Sequence, residues 1–397
     1  MIGAGTMGHG IAQICAMAGF TVWMRDIKRE FLDNAMQRIK WSLGKLFEKR
    51  KITQETVDKT LGNIRTTIDL KEAVENADFV IEAVPENLEL KKKIFREMDE
   101  IAPKESILAS NTSALPISEI AEATGRPDKV VGMHFFNPPQ IMKLVEVIYG
   151  CKTSDETVKT TFDLARKLGK EPIICRKDVV GFVANRVMNP PANVLAWLVS
   201  EGIFKPEEID SASFFKGGQR MGVFGLIDFV GIDVQYSVLK FFEEREPERF
   251  EVAPIIKEKV EKGELGVKTG KGFYEYPDKK WQIPSSWSKE LAEKFNPLWS
   301  MLISINMASE LVAEKIATPE DIDKAVKLGF NIPIGVLEFA DQIGIDTVVK
   351  QLEELSKKYG HIDKLRNILN PHPLLYEMLK ENKLGKKSGE GFYKYKK

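Results

Sequence analysis

The sequence predicts an α/β domain followed by two repeated all-α domains. A glycine-rich turn stands at the very start, where a short apolar strand passes into a helix. Short apolar strand segments then alternate with amphipathic helices as far as about residue 179. Beyond that point the periodicity is helical, and a set of residues occurs twice in the same order. We therefore place the domains at residues 1–179, 180–284 and 285–397.

The composition is that of an ordinary globular protein without a strong electrostatic partner. Lysine plus arginine and aspartate plus glutamate both number 58 in the 397 residues, so the net charge is zero. This balance argues against binding nucleic acid or an anionic membrane in bulk. No apolar run reaches the ~18 residues of a membrane span, and no signal peptide is recognisable.

The three cysteines are Cys15, Cys151 and Cys175. Their number is odd, their spacing is wide and no CxxC is present, which argues against a disulfide framework or a zinc site. We expect no bound metal and a reducing, cytoplasmic location.

A GxGxxG turn, Gly3–Gly8, leads into an apolar helix and then into a strand that ends at Asp26. Such a turn places a helix N-terminus at a pyrophosphate, and the acid at the second strand reaches a ribose hydroxyl. Asp26 favours NAD because a carboxylate repels the 2′-phosphate of NADP, although nearby Arg25 and Lys28 leave NADP open. The turn residues predicted to contact the cofactor are Gly3, Gly5, Thr6, Met7 and Gly8. Only Met1 and Ile2 precede them, so either the first strand is very short or residues are missing upstream.

An extra pair of helices is expected between the second and third strands of this domain, from about residue 28 to 50 and from Thr53 onward. The pair carries Ser42 and a cluster of basic residues that includes Lys49. This charged arm is either a solvated helix face or a surface that meets an anionic substrate tail, and residue types alone do not decide between them.

Polar residues follow two further buried strands, where ligands of open α/β sheets bind. The apolar run 77–84 ends before Glu86, and the following helix, about 88–101, carries Lys91. The strand 106–109 ends in the cluster Ser110–Ser113. Ser113 is either a capping residue or part of a site.

Residues 132–148 hold the most specific constellation. A strand ends in His134, a turn follows at Asn137–Pro139, and a second strand carries Glu146. An imidazole titrates near neutrality and a neighbouring carboxylate can orient it, so the two form a candidate acid–base pair. The other three histidines lack a comparable setting, and His134 is the predicted catalytic base.

Five segments in this order resemble the L-3-hydroxyacyl-CoA dehydrogenase family: GAGTMGHGIAQ, EAVPENLELKKKIF, ASNTSALPISEIA, VVGMHFFNPPQIMKLVEVI and GFVANRV. The resemblance implies a Rossmann-type NAD-binding domain with an inserted helical hairpin, and NAD-dependent oxidation of a 3-hydroxyacyl-CoA to the 3-ketoacyl-CoA. The implied catalytic residues are His134, Glu146, Ser113 and Asn185. The implied cofactor contacts, besides the glycine-rich turn, are Asp26, Glu86, Lys91, Ser113, Asn137 and Lys268. The implied CoA contacts on the charged arm and beside the site are Ser42, Lys49 and Ser113.

The helical part repeats itself. Asp228 matches Asp341 and Gly231 matches Gly344 at an offset of 113 residues, and a later glycine-rich segment repeats at an offset of 119. At the first offset Asn185 matches Leu298, so we interpret the first copy as catalytic and the second as structural. Single-copy members of the family dimerise through this domain. Here the second copy can cover the first within one chain, which favours a monomer over a homodimer.

The expected substrate is short, such as 3-hydroxybutyryl-CoA, in fatty-acid β-oxidation or hydroxybutyrate metabolism. No enoyl-CoA hydratase domain is expected, because the sequence stops near residue 397. Two alternatives remain: a dehydrogenase of the same fold that acts on a hydroxy acid or sugar acid without CoA, and a non-catalytic, NAD-binding structural relative.

Overall fold

A computed structural model describes residues 1–396 of the chain. They form two compact units. The first comprises Met1–Phe182 and Lys327–Ile332, and the second comprises Val183–Val326 and the chain from Pro333 onward. Lys397, the last residue of the predicted third domain, lies outside the described residues.

The first unit is built on a sheet that is parallel except for one strand pair. Its strands are β1 (Val22–Arg25), β2 (Ile64–Thr67), β3 (Phe79–Glu82), β4 (Ile107–Ser110), β5 (Val130–Phe135), β6 (Leu144–Ile148) and β7 (Glu171–Cys175). β1 pairs with β2, and β3 to β7 pair in sequence order, with β5 and β6 antiparallel. Every residue of β5 and β6 is buried, as expected for strands that helices cover on both faces.

The position of the predicted first strand is occupied by Ile2. Ile2 bridges Arg25 on one side and Glu82 on the other, and so joins the two sets of strands. Its amide donates to the carbonyl of Ile81 at 2.9 Å, and its carbonyl accepts from Ala83 at 2.7 Å. Ile2 therefore links the two sets of strands directly before the glycine-rich turn.

The helices of the first unit include the predicted insertion. They are α1 (Gly8–Met17), α2 (Arg29–Glu48), α3 (Gln54–Gly62), α4 (Leu70–Val74), α5 (Leu88–Ile101), α6 (Ile117–Ala121) and α7 (Asp155–Lys167), with a 3₁₀ turn at Pro127–Lys129. The hairpin consists of α2 and α3 between β1 and β2, and Thr53 caps α3 by accepting from the amide of Thr56 at 3.2 Å.

The second unit is helical and shows the repeat. Its helices are α8 (Ala184–Ser200), α9 (Pro206–Phe215), α10 (Val223–Val230), α11 (Ile232–Arg245), α12 (Pro254–Glu261), α13 (Lys289–Ala292), α14 (Leu298–Ala313), α15 (Pro319–Phe330), α16 (Val336–Ile343), α17 (Ile345–Tyr359), α18 (Asp363–Leu369) and α19 (Pro373–Lys380). α15 runs from the second unit into the first. α8 to α12 correspond to α14 to α17 and α19, whereas α13 and α18 have no counterpart among the described residues.

A buried carboxylate holds the end of each copy in the same way. Asp228 accepts from the amides of Phe273 and Tyr274, each at 2.9 Å. Asp341 accepts from the amides of Phe392 and Tyr393 at the same distance. Glycine is required opposite each carboxylate, because a Cβ at residue 272 or 391 would lie 2.1 or 2.0 Å from its oxygen. No helix within residues 1–396 is long and apolar enough to cross a membrane.

Candidate active site

The three glycines of the first turn have three different surroundings. Gly3 has a φ of +93°, and a Cβ there would lie 2.6 Å from the carbonyl oxygen of Ala83. A Cβ on Gly8 would lie 1.8 Å from the carbonyl oxygen of Gly3, so α1 can approach the turn only without a side chain. Gly5 faces open space, with no atom within 4 Å of a Cβ built on it. The turn is thus closed on the sheet side and open where a pyrophosphate approaches.

Asp26 lies at this turn, as predicted. Its carboxylate follows β1 and accepts from the amide of Ala4 at 2.7 Å and from the amide of Ile27 at 2.7 Å. Thr6 is exposed and Met7 precedes α1 directly, so both border the open side of the turn. This arrangement fits a dinucleotide whose ribose hydroxyls meet the carboxylate.

A buried ion network underlies the ends of β3 and β4. Lys91, only 1% exposed, donates to Glu82 at 2.7 Å and lies 3.3 Å from the carboxylate of Glu86. Glu82 is fully buried and also accepts from the hydroxyl of Ser110 at 2.7 Å. Lys91 therefore anchors two carboxylates, and its predicted contact with the cofactor remains a prediction.

Glu82 is a site residue that the sequence interpretation missed. It lies inside a strand that was recognised for its apolar character, and the available signal was a carboxylate in that run with a lysine nine positions later. Without three-dimensional proximity, nothing in the sequence pairs it with Lys91 and Ser110.

Ser113 is placed by Glu86 rather than by a helix end. Its amide donates to the Glu86 carboxylate at 2.9 Å, and the two side chains are 3.4 Å apart. The capping alternative for Ser113 is wrong, because α6 begins at Ile117 after Pro116 and has no side-chain cap. Ser113 is half-buried and its hydroxyl lies beside a carboxylate.

The predicted acid–base pair is in contact. His134 on β5 and Glu146 on β6 are direct cross-strand partners, and Nδ1 of the imidazole lies 2.6 Å from the carboxylate. Both side chains are buried, at 7% and 0% exposure. A carboxylate accepts a hydrogen bond, so Nδ1 carries a proton, and in the neutral imidazole Nε2 then holds the lone pair. Phe136 and Phe182 flank the ring, with centroids 4.6 and 6.0 Å away.

A buried lysine fixes the turn that follows His134. Lys170 donates to the carbonyls of Pro139 and of Met142, the latter at 2.8 Å, and so ties the end of α7 to this turn. Burial and the charge of Lys143 lower the pKa of Lys170 to about 8. No sequence signal indicated this lysine, because the carbonyls it binds are about thirty residues away. The turn also contains the predicted cofactor residue Asn137, which forms a cis peptide with Pro138.

The predicted residues of the charged arm differ in exposure. Ser42 lies on the buried face of α2 and is 8% exposed, whereas Lys49 follows the last residue of α2 and is exposed. Their contact with CoA remains a prediction.

Two predicted site residues lie in the second unit. Asn185 stands in the first turn of α8 and is half-buried. Lys268 forms an ion pair with Asp233, and the second copy holds the equivalent pair of Lys387 and Asp346. No group of three or more potential metal ligands occurs among residues 1–396.

Family models match nearly the whole chain. The model described as "3-hydroxyacyl-CoA dehydrogenase, NAD binding domain" matches residues 1–179. The model described as "3-hydroxyacyl-CoA dehydrogenase, C-terminal domain" matches residues 181–276 and again residues 301–395. The same domain model thus fits both helical copies.

Individual relatives agree with the family models. A probable 3-hydroxybutyryl-CoA dehydrogenase from Deinococcus radiodurans is 43% identical over 277 residues, covering 70% of this chain and 99% of the relative. The mitochondrial hydroxyacyl-coenzyme A dehydrogenase of Rattus norvegicus is 40% identical over 283 residues, 70% of this chain and 90% of the relative. The crystal structure of the Escherichia coli 3-hydroxybutyryl-CoA dehydrogenase has a TM-score of 0.85 at 28% identity, covering 96% of this chain and 98% of the other.

Proposed function

The chain belongs to the 3-hydroxyacyl-CoA dehydrogenase family, and from this premise we propose that it interconverts (S)-3-hydroxyacyl-CoA and 3-ketoacyl-CoA with NAD as the hydride carrier. The observation that carries the proposal is the buried contact of 2.6 Å between His134 and Glu146. The glycine-rich turn with Asp26 supplies the matching cofactor platform on the same unit.

His134 acts as the general base in the oxidation. Its Nδ1 proton is held by Glu146, so Nε2 takes the proton from the 3-hydroxyl of the substrate. The imidazolium that forms keeps its Nδ1 hydrogen bond to the fully buried carboxylate of Glu146. In the reduction the same nitrogen returns the proton to the 3-keto oxygen.

NAD, when bound, supplies the hydride acceptor for this reaction. The residues proposed to hold it are the turn Gly3–Gly8, Asp26, Glu86, Lys91, Ser113, Asn137 and Lys268. The open face of Gly5 suits the pyrophosphate, and the Asp26 carboxylate suits an unphosphorylated ribose, which favours NAD over NADP. Lys91 also fixes the carboxylate of Glu86, another of the residues proposed to contact NAD.

Ser113 and Asn185 are proposed to bind the reacting part of the substrate, where hydrogen-bond donors stabilise charge that develops on oxygen. Ser42 and Lys49 on the inserted hairpin are proposed to hold the CoA moiety. The names of the bacterial relatives favour a short acyl chain, such as acetoacetyl-CoA or 3-hydroxybutyryl-CoA, and a place in fatty-acid or hydroxybutyrate metabolism.

The organisation of the chain is part of the proposal. We retain domains at residues 1–179, 180–284 and 285–397, with the last in a structural role. Contact between α8 and α14 supports a chain that works as a monomer, because the second copy covers the first as a partner subunit would. The three free cysteines suit the cytoplasm.

The proposal is tested by following NADH oxidation with acetoacetyl-CoA, beside NADPH and beside free acetoacetate. We expect turnover with NADH and the CoA ester, and a loss of about 10²–10⁴-fold in His134→Ala. The exposed His361 provides the matched control, since His361→Ala should keep kcat within about twofold of wild type.

Each other outcome changes a specific part of the proposal. Absence of turnover with either cofactor contradicts the proposed function. Turnover of the free acid alone replaces it with a CoA-independent dehydrogenase. Near-normal turnover in His134→Ala contradicts the assigned base.

A further inference from the structure

Asn185 is held by a chain of amide side chains that the mechanism above does not use. Asn189, one turn further along α8, donates from Nδ2 to the main-chain carbonyl of Asn185 at 3.0 Å and to its side-chain oxygen at 3.3 Å. Gln235 on α11 donates from Nε2 to Oδ1 of Asn189 at 3.3 Å. Asn189 is 7% exposed, so its amide is removed from competing water.

One group that can only accept hydrogen bonds fixes the orientation of the side-chain amides in this hydrogen-bonded chain. The main-chain carbonyl of Asn185 only accepts hydrogen bonds, so the atom of Asn189 that meets it must be the NH₂ group. The oxygen of Asn189 is thereby turned toward Gln235, which must donate. The same NH₂ group of Asn189 meets the side chain of Asn185, which must present its oxygen there. Consequently the NH₂ group of Asn185 points away from Asn189 and remains available as a donor.

The second helical copy shows that the fold does not need this chain. At the same offset, Asn193 and Asn306 have equivalent contacts, accepting from the amides of Ala253 and His372 at 3.0 and 2.7 Å, so the two copies are in register here. The positions that match the three amides are all apolar in the second copy: Asn185, Asn189 and Gln235 correspond to Leu298, Leu302 and Val348. A structural requirement of the helical domain would apply to both copies.

We propose that Asn189 and Gln235 are positioning residues that orient the side-chain amide of Asn185 so that it donates to the substrate oxygen on which charge develops. The inference rests on the proposed function, which assigns Asn185 to the substrate. A freely rotating asparagine presents oxygen or NH₂ with similar ease, and the oxygen would repel developing negative charge. If the NH₂ group of Asn185 is already oriented as the donor, its amide does not have to rotate during the reaction.

The test is a double-mutant cycle of Asn185→Ala and Asn189→Leu, with kcat and KM for acetoacetyl-CoA measured at saturating NADH. Asn189→Leu installs the residue of the second copy. We expect it to lower kcat about tenfold, the loss typical when a supporting partner of a functional group is removed. In the Asn185→Ala background the same change should alter kcat by less than about twofold, because no side-chain amide remains to be oriented. Gln235→Val should likewise lower kcat only when Asn185 is present, by a smaller factor of about threefold.

A purely structural role would give a different pattern. Asn306→Leu removes a buried amide of the second copy and serves as the control, which should lower Tm while leaving kcat within about twofold. Equal losses from Asn189→Leu in both backgrounds, or no loss in either, overturn the inference and leave the proposed function standing. Absence of wild-type turnover overturns the proposed function, and the inference with it.

Discussion

The two helical copies share the contacts that support their fold and differ in the side-chain amides to which we assign a role in the reaction. Asp228 and Asp341 each hold the end of their copy through two amides, and the ion pair of Lys268 with Asp233 recurs as that of Lys387 with Asp346. The amide chain of Asn185, Asn189 and Gln235 on α8 and α11 belongs to the first copy, and the matching positions of the second copy are apolar. The difference separates contacts that both copies share from polar residues that stand in the first copy alone, to which we assign the chemistry.

The second copy nevertheless contributes a specific contact to the first. Glu310 on α14 accepts from Arg186 on α8 at 2.9 Å and from Arg249 at 2.7 and 2.6 Å. Its counterpart in the first copy is Trp197, so the contact is not symmetric. Because Arg186 follows Asn185 directly, this network fixes the helix that carries the proposed substrate residue.

The first prediction tests whether that asymmetric contact holds the copies together. Glu310→Gln should lower the free energy of unfolding by about 3 kcal/mol at pH 7. The variant removes one of the two carboxylates that pair with the buried guanidinium of Arg186. Urea unfolding measures the loss. Glu381→Gln, which removes an exposed ion pair with Lys383, is the control and should change it by less than about 0.5 kcal/mol. Equal effects of the two variants would contradict the assigned role.

The stability lost in Glu310→Gln should depend on pH. Burial acts to raise the pKa of Glu310, but the hydrogen bond from Arg249 and the charges of Arg186 and Arg249 outweigh it and hold the pKa at about 2, below its usual 4.5. A carboxyl whose pKa is lowered by folding stabilises the fold above its unfolded pKa, and this stability is lost as the pH falls from about 4.5 toward 2. The difference between wild type and Glu310→Gln should therefore shrink between pH 7 and pH 3.

The smallest expected effects concern the duplicated ion pair. Lys268→Met and Lys387→Met should each cost at most about 1 kcal/mol of stability, since both lysine side chains are 46% exposed. If Lys268 also contacts NAD, its loss alone should raise KM for NADH severalfold, and Lys387→Met should not. An unchanged KM in both variants would leave Lys268 a supporting residue only.

Local patterns were sufficient to predict much of the fold. The helix at Leu88–Ile101 lies where periodicity and flanking residues predicted it, and the strand at Ile107–Ser110 lies within one residue of its predicted bounds. The pairing of His134 with Glu146 was also predictable, because the short connection 136–143 between two neighbouring strands brings a limited set of residues opposite one another.

The supporting residues of the site were not predictable from such patterns. Glu82, Lys170 and the chain through Asn189 act through contacts with residues that are distant in sequence or on another helix. Their residue types are common in strands and helices, and no spacing distinguishes them. The repeat was the one internal clue for Asn189, because its counterpart is Leu302.

The division of labour between the copies is tested most directly by the matched pair Asn185→Ala and Leu298→Ala. We expect Asn185→Ala to lower kcat for acetoacetyl-CoA reduction by about 10²–10³-fold, the loss typical of one donor to a developing charge. Leu298→Ala, at the same position of the second copy, should keep kcat within about twofold and lower only the Tm. Comparable losses of kcat in the two variants, or none in Asn185→Ala, would contradict the assignment of the chemistry to the first copy.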